Sequence, residues 1–94
     1  MNEIKHYNIK IKGKVQGVWF RFSSKEIAEQ LGVSGFVQNE LDDSVYIEAE
    51  GTEEQLKMFI KWCENGPEMA IVTNAEIMEG KVKNFTSFKI ERRV

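Results

Sequence analysis

A strand-like segment followed by a helix-like segment occurs twice in this chain, and this order limits the possible folds most strongly. Residues 7–12 alternate apolar and polar side chains, which predicts a half-buried strand. Ser23, with Glu26 three residues later, has the form of a capping box, and Gly32 has the form of a C-cap. We therefore predict a first helix between these capping residues, directly after the first strand.

The second half of the chain repeats this order. Thr52 and Gln55 form another capping-box pattern, and Gly66 with Pro67 marks the end of the second helix. The remaining strands are predicted at 34–38, 45–50, 71–78 and 85–91. The order is βαββαβ plus a short extra strand. It predicts an α+β, ferredoxin-like split βαβ sandwich with a mainly antiparallel sheet and two helices on one face.

Length and composition restrict the function classes. The 94 residues suffice for one domain, so we expect a single domain spanning residues 1–94. Cys63 is the one cysteine, which excludes an intrachain disulfide and a Cys-pair zinc site. The net charge of −2 argues against nonspecific nucleic-acid binding. Residues 1–6 lack an apolar run, and no apolar stretch suits a membrane span, so we expect a cytoplasmic protein without membrane association, and a monomer.

The predicted topology brings two segments to one edge of the sheet. The first and second strands run parallel with the third between them, so their ends lie about 10 Å apart. The glycine-containing segment 13–21 leaves the first strand there and ends in Arg21. Backbone N–H groups at such a turn, together with a helix N-terminus and an Arg fork, can bind an anion. A plain surface turn is the alternative interpretation of the spacing alone.

Two longer motifs resemble one known family. Residues 13–21, GKVQGVWFR, look like the first signature of the acylphosphatases. Residues 35–39, GFVQN, continuing through 44–51, resemble the second signature. The Gly-Pro stop at 66–67 and the ending FKIER at 88–92 are also similar to the family pattern. The resemblance covers nearly the whole chain, and two motifs at the right separation are more specific than either alone.

The resemblance implies a reaction and a set of site residues. The reaction is hydrolysis of an acyl phosphate, a carboxyl–phosphate anhydride, to carboxylate and inorganic phosphate by in-line attack of water. Arg21 and Asn39 would be catalytic, and Asn39 would orient the water. The phosphoryl group would be bound by the backbone N–H groups of Gln16, Gly17, Val18, Trp19 and Phe20. No metal or cofactor is implied, and phosphate would be both product and inhibitor.

Two other function classes remain open from the sequence. One is a noncatalytic module that binds anions or carboxyl phosphates, of the kind found in larger carbamoyl-transfer proteins. The other is an RNA-binding sheet, which reads bases with exposed aromatic side chains. The outward positions predicted for strands one and three carry Tyr46 among acids and lysines, including Glu48 and Glu50, which makes a poor stacking surface.

We make further predictions for three single residues. Trp19 is predicted to lie over the pocket mouth and favour bulky or aromatic acyl groups, with simple surface packing as the alternative. Asp43 stands where the family usually has a turn glycine, and we expect it to adopt a left-handed conformation. His6 is predicted to stand alone on the outward side of the first strand, without a metal or catalytic role.

Overall fold

Five strands and two helices make up the computed structural model, which describes residues 3–92. Their order is β1 (Ile4–Lys14), α1 (Phe20–Leu31), β2 (Ser34–Asn39), β3 (Val45–Thr52), α2 (Glu53–Asn65), β4 (Ile71–Gly80) and β5 (Phe88–Ile90). The predicted order is confirmed, although β5 is shorter than the 85–91 expected. The predicted domain limits, 1–94, include residues 1, 2, 93 and 94, which lie outside the described residues. Neither described helix is long and apolar enough to cross a membrane.

The strands form one sheet in the order β4-β1-β3-β2-β5. Strand β3 is antiparallel to both β1 and β2, β4 is antiparallel to β1, and β5 is parallel to β2. The prediction that β1 and β2 run parallel with β3 between them is therefore confirmed. Val45 of β3 pairs with Ile11 on one side and with Asn39 on the other, so these three residues lie on one line across the sheet.

The core lies between the sheet and the two helices, which contact each other on the same face. Apolar side chains from alternate strand positions meet the apolar stripes of α1 and α2 there, and each large one contributes about 1.5–3 kcal/mol to folding. Cys63 lies fully buried among them, and this burial raises the pKa of its thiol. Cys63 is therefore a core residue whose buried thiol is unreactive.

The start of α1 differs from the prediction. The helix begins at Phe20, three residues before the predicted cap Ser23, with Trp19 as its N-cap and no side-chain cap. The Ser24 hydroxyl lies inside the helix and donates to the carbonyl of Arg21. Phe20 is 1% exposed, so packing of its ring into the core decides where the helix begins. The Gly32 C-cap and the capping box at the start of α2 are confirmed.

His6 lies on the predicted side of β1, opposite the helices, but the prediction that it stands alone there is wrong, because His6 is buried. Residues 81–87, which we call the strap, cross the sheet face opposite the helices and cover it. Nδ1 of His6 lies 2.7 Å from Oε2 of Glu50, and Glu50 is 2% exposed. The backbone N–H groups of Lys83 and Phe85 donate to the same carboxylate. The strap therefore converts a strand position that alternation marks as outward into an interior one.

The carboxylate of Glu50 anchors the strap. Burial opposes its ionisation, but hydrogen bonds from Lys83 N–H, His6 and Phe85 N–H outweigh burial and hold the pKa of Glu50 below its ordinary value. Burial likewise opposes ionisation of Glu48, and its bonds from the Lys83 ammonium and the Tyr46 hydroxyl hold its pKa low. Both carboxylates are therefore part of the folded structure rather than a solvated surface.

We predict that Glu50→Gln lowers the free energy of unfolding near pH 7 by about 1–3 kcal/mol, because buried N–H donors lose a carboxylate acceptor. It should also weaken the acid dependence of stability. The folded pKa of Glu50 lies below its ordinary value of 4.5, so the carboxylate stabilises the fold above that pH and its contribution is lost as the pH falls through the folded pKa.

Urea unfolding near pH 7 and near pH 3 measures both effects. Glu26→Gln, at an exposed position of α1, is the matched control and should change neither. An equal loss of stability on acidification in the wild type and in Glu50→Gln would contradict the anchoring role of this carboxylate.

Candidate active site

The segment that joins β1 to α1 is anchored by buried side chains, and its backbone lies at the protein surface. We call residues 16–20 the phosphate loop. The side chains of Val18 and Phe20 are 4% and 1% exposed, whereas Gly17, which precedes Val18, and Trp19, which lies between the two, face solvent. Gly17 (φ 73°) and Trp19 (φ 69°) both adopt left-handed conformations, which turn the chain sharply. This alternation fits the predicted role of the loop, in which backbone N–H groups bind the ligand.

The N-terminus of α1 has no internal partner for its positive end. The first helical hydrogen bond runs from the N–H of Ser23 to the carbonyl of Trp19, so the N–H groups of residues 20–22 precede it. No side chain caps this end, and its first turn holds no acidic residue. In α2, by contrast, Thr52 caps the helix and two glutamates occupy the first turn. The α1 terminus therefore favours an external anion.

Arg21 lies in the first turn of α1 and lines a cavity of about 590 Å³. The other lining residues are Val15, Gly17, Trp19, Phe20, Phe22, Ile90 and Arg92. No ion pair within residues 3–92 involves Arg21, although it is half-buried. Arg21 and three residues of the phosphate loop, Gly17, Trp19 and Phe20, thus line one cavity, and their donors suit a phosphoryl group.

Asn39 is the last residue of β2, at the sheet edge from which the phosphate loop departs. Its Oδ1 atom is buried and accepts no hydrogen bond from the described residues. The residues that line the Arg21 cavity do not include Asn39. The structure therefore brings Arg21 into one cavity with Gly17, Trp19 and Phe20, but Gln16 and Val18 do not line that cavity. It places Asn39 on the same edge of the sheet, also outside that lining.

The turn at 40–44, after Asn39, touches the phosphate loop through a side chain that the sequence does not reveal. Nε2 of Gln16 donates to the carbonyl oxygens of Glu40 and Ser44, at 2.8 Å each. The motif assigns Gln16 a backbone role, and no local pattern indicates contacts with residues 24 and 28 positions away. Within the turn, Asp43 has a φ of 73°, which confirms the predicted left-handed conformation.

Hydrogen bonds and a lysine also hold this turn. Oδ1 of Asp42 accepts from the backbone N–H and the hydroxyl of Ser44, and Lys10 lies 2.8 Å from Oδ2. The hydrogen bond from Lys10, followed by those from Ser44, holds the pKa of Asp42 well below its usual range. In residues 3–92, no cluster of three or more His, Cys, Asp or Glu side chains is arranged to hold a metal ion.

The family model described as acylphosphatase matches residues 7–90. The chain belongs to the acylphosphatase family. An acylphosphatase of Thermotoga maritima is 40% identical over 88 residues, covering 94% of this chain and 98% of that protein. The solved acylphosphatase of Coxiella burnetii is 31% identical with a TM-score of 0.91, and the match covers 96% of this chain and 94% of that one. The ferredoxin-like α+β fold and acyl phosphate hydrolysis, both expected from the sequence, are thereby confirmed.

A further match concerns the binding-module alternative. The crystal structure of HypF from T. kodakarensis is 35% identical with a TM-score of 0.79, covering 94% of this chain but 12% of that one. The enzymes named above, by contrast, match this chain over nearly their whole length. The chain is thus an acylphosphate hydrolase, whose substrate is an acyl phosphate and whose products are a carboxylate and inorganic phosphate.

Proposed function

We propose that Arg21 and the backbone N–H groups of the phosphate loop bind the phosphoryl group, and that Asn39 orients the attacking water. The role assigned to Asn39 rests on one observation: its Oδ1 is a buried acceptor without a hydrogen-bond partner among the described residues. A buried acceptor of this kind costs free energy unless a donor reaches it, and a water molecule can be that donor. The position of Asn39 beside the loop supports this assignment.

The phosphoryl group meets two kinds of donor. Arg21 offers a planar fork that can bond two phosphoryl oxygens at once, and it has no competing carboxylate within residues 3–92. The uncapped N-terminus of α1 adds N–H groups and a partial positive charge. Phosphoryl transfer needs mainly positioning and charge stabilisation, and these groups supply both.

The leaving group simplifies the rest of the chemistry. The water oxygen forms a bond to phosphorus while the bond between phosphorus and the acyl oxygen breaks, and that electron pair leaves with the carboxylate. The parent carboxylic acid has a pKa of about 4, so the carboxylate departs without protonation. The reaction therefore requires no general acid.

The water's proton needs an acceptor other than Asn39, because a side-chain amide does not accept a proton near neutral pH. The amide oxygen of Asn39 can accept a hydrogen bond from the water and so align it opposite the leaving group. A phosphoryl oxygen takes the proton, which yields protonated inorganic phosphate. On this mechanism, kcat shows no essential enzyme group with a pKa near 6–7.

We predict that Asn39→Ala lowers kcat for benzoyl phosphate by roughly 100-fold or more, because an unaligned water attacks poorly. The inhibition constant of phosphate should stay within about twofold, since the phosphoryl ligands remain. Arg21→Lys should instead weaken both phosphate inhibition and turnover, because an ammonium replaces the bidentate fork. Loss of benzoyl phosphate absorbance, measured with EDTA present, gives these constants.

Gln38→Met is the control, because Gln38 precedes Asn39 on β2 and bonds the side chain of Glu40. It should keep kcat within about twofold, as expected for a change outside the site. Wild-type kcat in Asn39→Ala would refute the assigned role of Asn39. A folded wild type that binds phosphate without hydrolysing any acyl phosphate would instead identify a binding module.

Trp19 supports a preference for aromatic acyl groups. It lines the Arg21 cavity, is 72% exposed and stacks edge-on against Phe22, with ring centroids 6.3 Å apart. Together with Ile90, these rings give the cavity an apolar side next to the guanidinium. A substrate whose phosphoryl group binds Arg21 would carry its acyl group toward this side. We therefore assign acyl-group selection to Trp19 and Phe22.

We predict that Trp19→Ala lowers kcat/KM for benzoyl phosphate roughly two- to tenfold more than for acetyl phosphate, because an aromatic contact is worth about 0.5–1.5 kcal/mol. Release of inorganic phosphate, measured in one assay for both substrates, gives the two values of kcat/KM. Met58→Ala, at a 60% exposed position of α2, is the control and should leave the ratio unchanged. Equal losses for the two substrates would show that Trp19 does not select the acyl group.

We also propose that the enzyme acts as a cytoplasmic monomer. All residues of the proposed site belong to one chain, so catalysis requires no second copy. Light scattering coupled to size-exclusion chromatography should give a mass near 10.9 kDa. A dimer mass at assay concentrations would contradict the monomer.

A further inference from the structure

We propose that the side chain of Gln16 is a positioning residue that fixes Asn39 relative to the bound phosphoryl group. The proposal rests on the function proposed above for Asn39. It assigns Gln16 a second role beside that of its backbone: its carboxamide joins the phosphate loop to the turn that follows Asn39.

Both hydrogens of one amide group are used in this link. Nε2 of Gln16 donates to the carbonyl of Glu40 and to the carbonyl of Ser44, each at 2.8 Å. These two residues are the ends of the turn, and they are also joined by a bond from the N–H of Glu40 to the carbonyl of Ser44. The Gln16 amide therefore contacts both ends of the turn at once and sets its distance from the loop.

The backbone of Asn39 is also held by the sheet. It pairs with Val45, the first residue of β3, and the chain leaves the ladder directly after it. The β2–β3 ladder fixes where the backbone of Asn39 lies within the sheet, but it does not fix the distance from this backbone to the loop. The two bonds from Gln16 supply that second restraint, because Glu40 is the next residue along the chain.

The turn keeps its own shape without Gln16. Asp42 accepts two bonds from Ser44 and pairs with Lys10 of β1. Loss of the Gln16 amide should therefore leave a closed turn whose position relative to the loop is less well defined. Arg21 and the loop N–H groups, which bind the phosphoryl group, would remain in place while Asn39, which orients the water, moves.

Because the phosphoryl ligands stay in place while Asn39 moves, we predict a specific kinetic effect for Gln16→Met. Methionine keeps a similar side-chain length but has no hydrogen-bond donor. The value of kcat for benzoyl phosphate should fall roughly 10- to 100-fold, because a small misplacement of a reacting group is enough for such a loss. The inhibition constant of phosphate should stay within twofold of wild type. A role confined to the loop's own shape would change both constants together.

A double-mutant cycle tests whether Gln16 acts through Asn39. If it does, Gln16→Met causes no further loss of kcat in the Asn39→Ala background, because the residue it positions is gone. Gln38→Met is the matched control, since it removes a neighbouring amide that bonds the Glu40 carboxylate and has no bond to the loop. It should leave kcat and phosphate inhibition unchanged in both backgrounds.

Gln16→Asn provides a second variant if Gln16→Met does not fold. It keeps the amide, but the shorter side chain falls short of the two carbonyl oxygens, so the same loss of kcat is expected. The proposal is overturned if kcat is unchanged in a folded variant, if phosphate inhibition weakens in step with kcat, or if the losses from Gln16→Met and Asn39→Ala multiply. Wild-type turnover by Asn39→Ala would instead refute the proposed function, which separates the two failures.

Discussion

Strand β3 is hydrogen-bonded to β1 on one side and to β2 on the other, both in antiparallel register. Because of this pairing, β1 and β2 run in the same direction and end at one edge of the sheet. The phosphate loop departs from one strand end and Asn39 occupies the other. Two segments distant in the sequence therefore lie two strand spacings apart, about 10 Å. Every role proposed for the site depends on this spacing.

The phosphate loop shows how a surface backbone can be held rigidly. Val18 and Phe20 anchor it in the core, and the left-handed residues Gly17 and Trp19 turn the chain directly before each anchor. A non-glycine residue in a left-handed conformation costs free energy, which the neighbouring buried side chains offset. The same packing starts α1 at Phe20 and leaves its N-terminus without a side-chain cap. Stability of the core and availability of the anion site are thus produced by one arrangement.

The opposite face of the sheet serves a different purpose. Glu50 receives hydrogen bonds from the backbone of the strap and from His6, and Glu48 pairs with Lys83. Phe85 of the strap packs against the rings of His6 and Phe36. The carboxylates on this face therefore hold the strap in place, and the face does not offer the open aromatic surface that an RNA-binding sheet requires. The charged groups of the strap and the proposed site lie in separate parts of the fold.

The sequence by itself determined the strands, the second helix and the loop that leads into Arg21 at the start of α1. Alternation reports which side of a strand is apolar, and the Thr52–Gln55 box is complete within four residues, so both are local signals. The tertiary structure decided what covers each face. Glu50 is hydrogen-bonded to the strap residue Lys83, 33 positions away, and to His6, 44 positions away. The amide of Gln16 donates to carbonyl oxygens 24 and 28 positions away. No local pattern contains such contacts, because they exist only after the sheet has brought distant segments together.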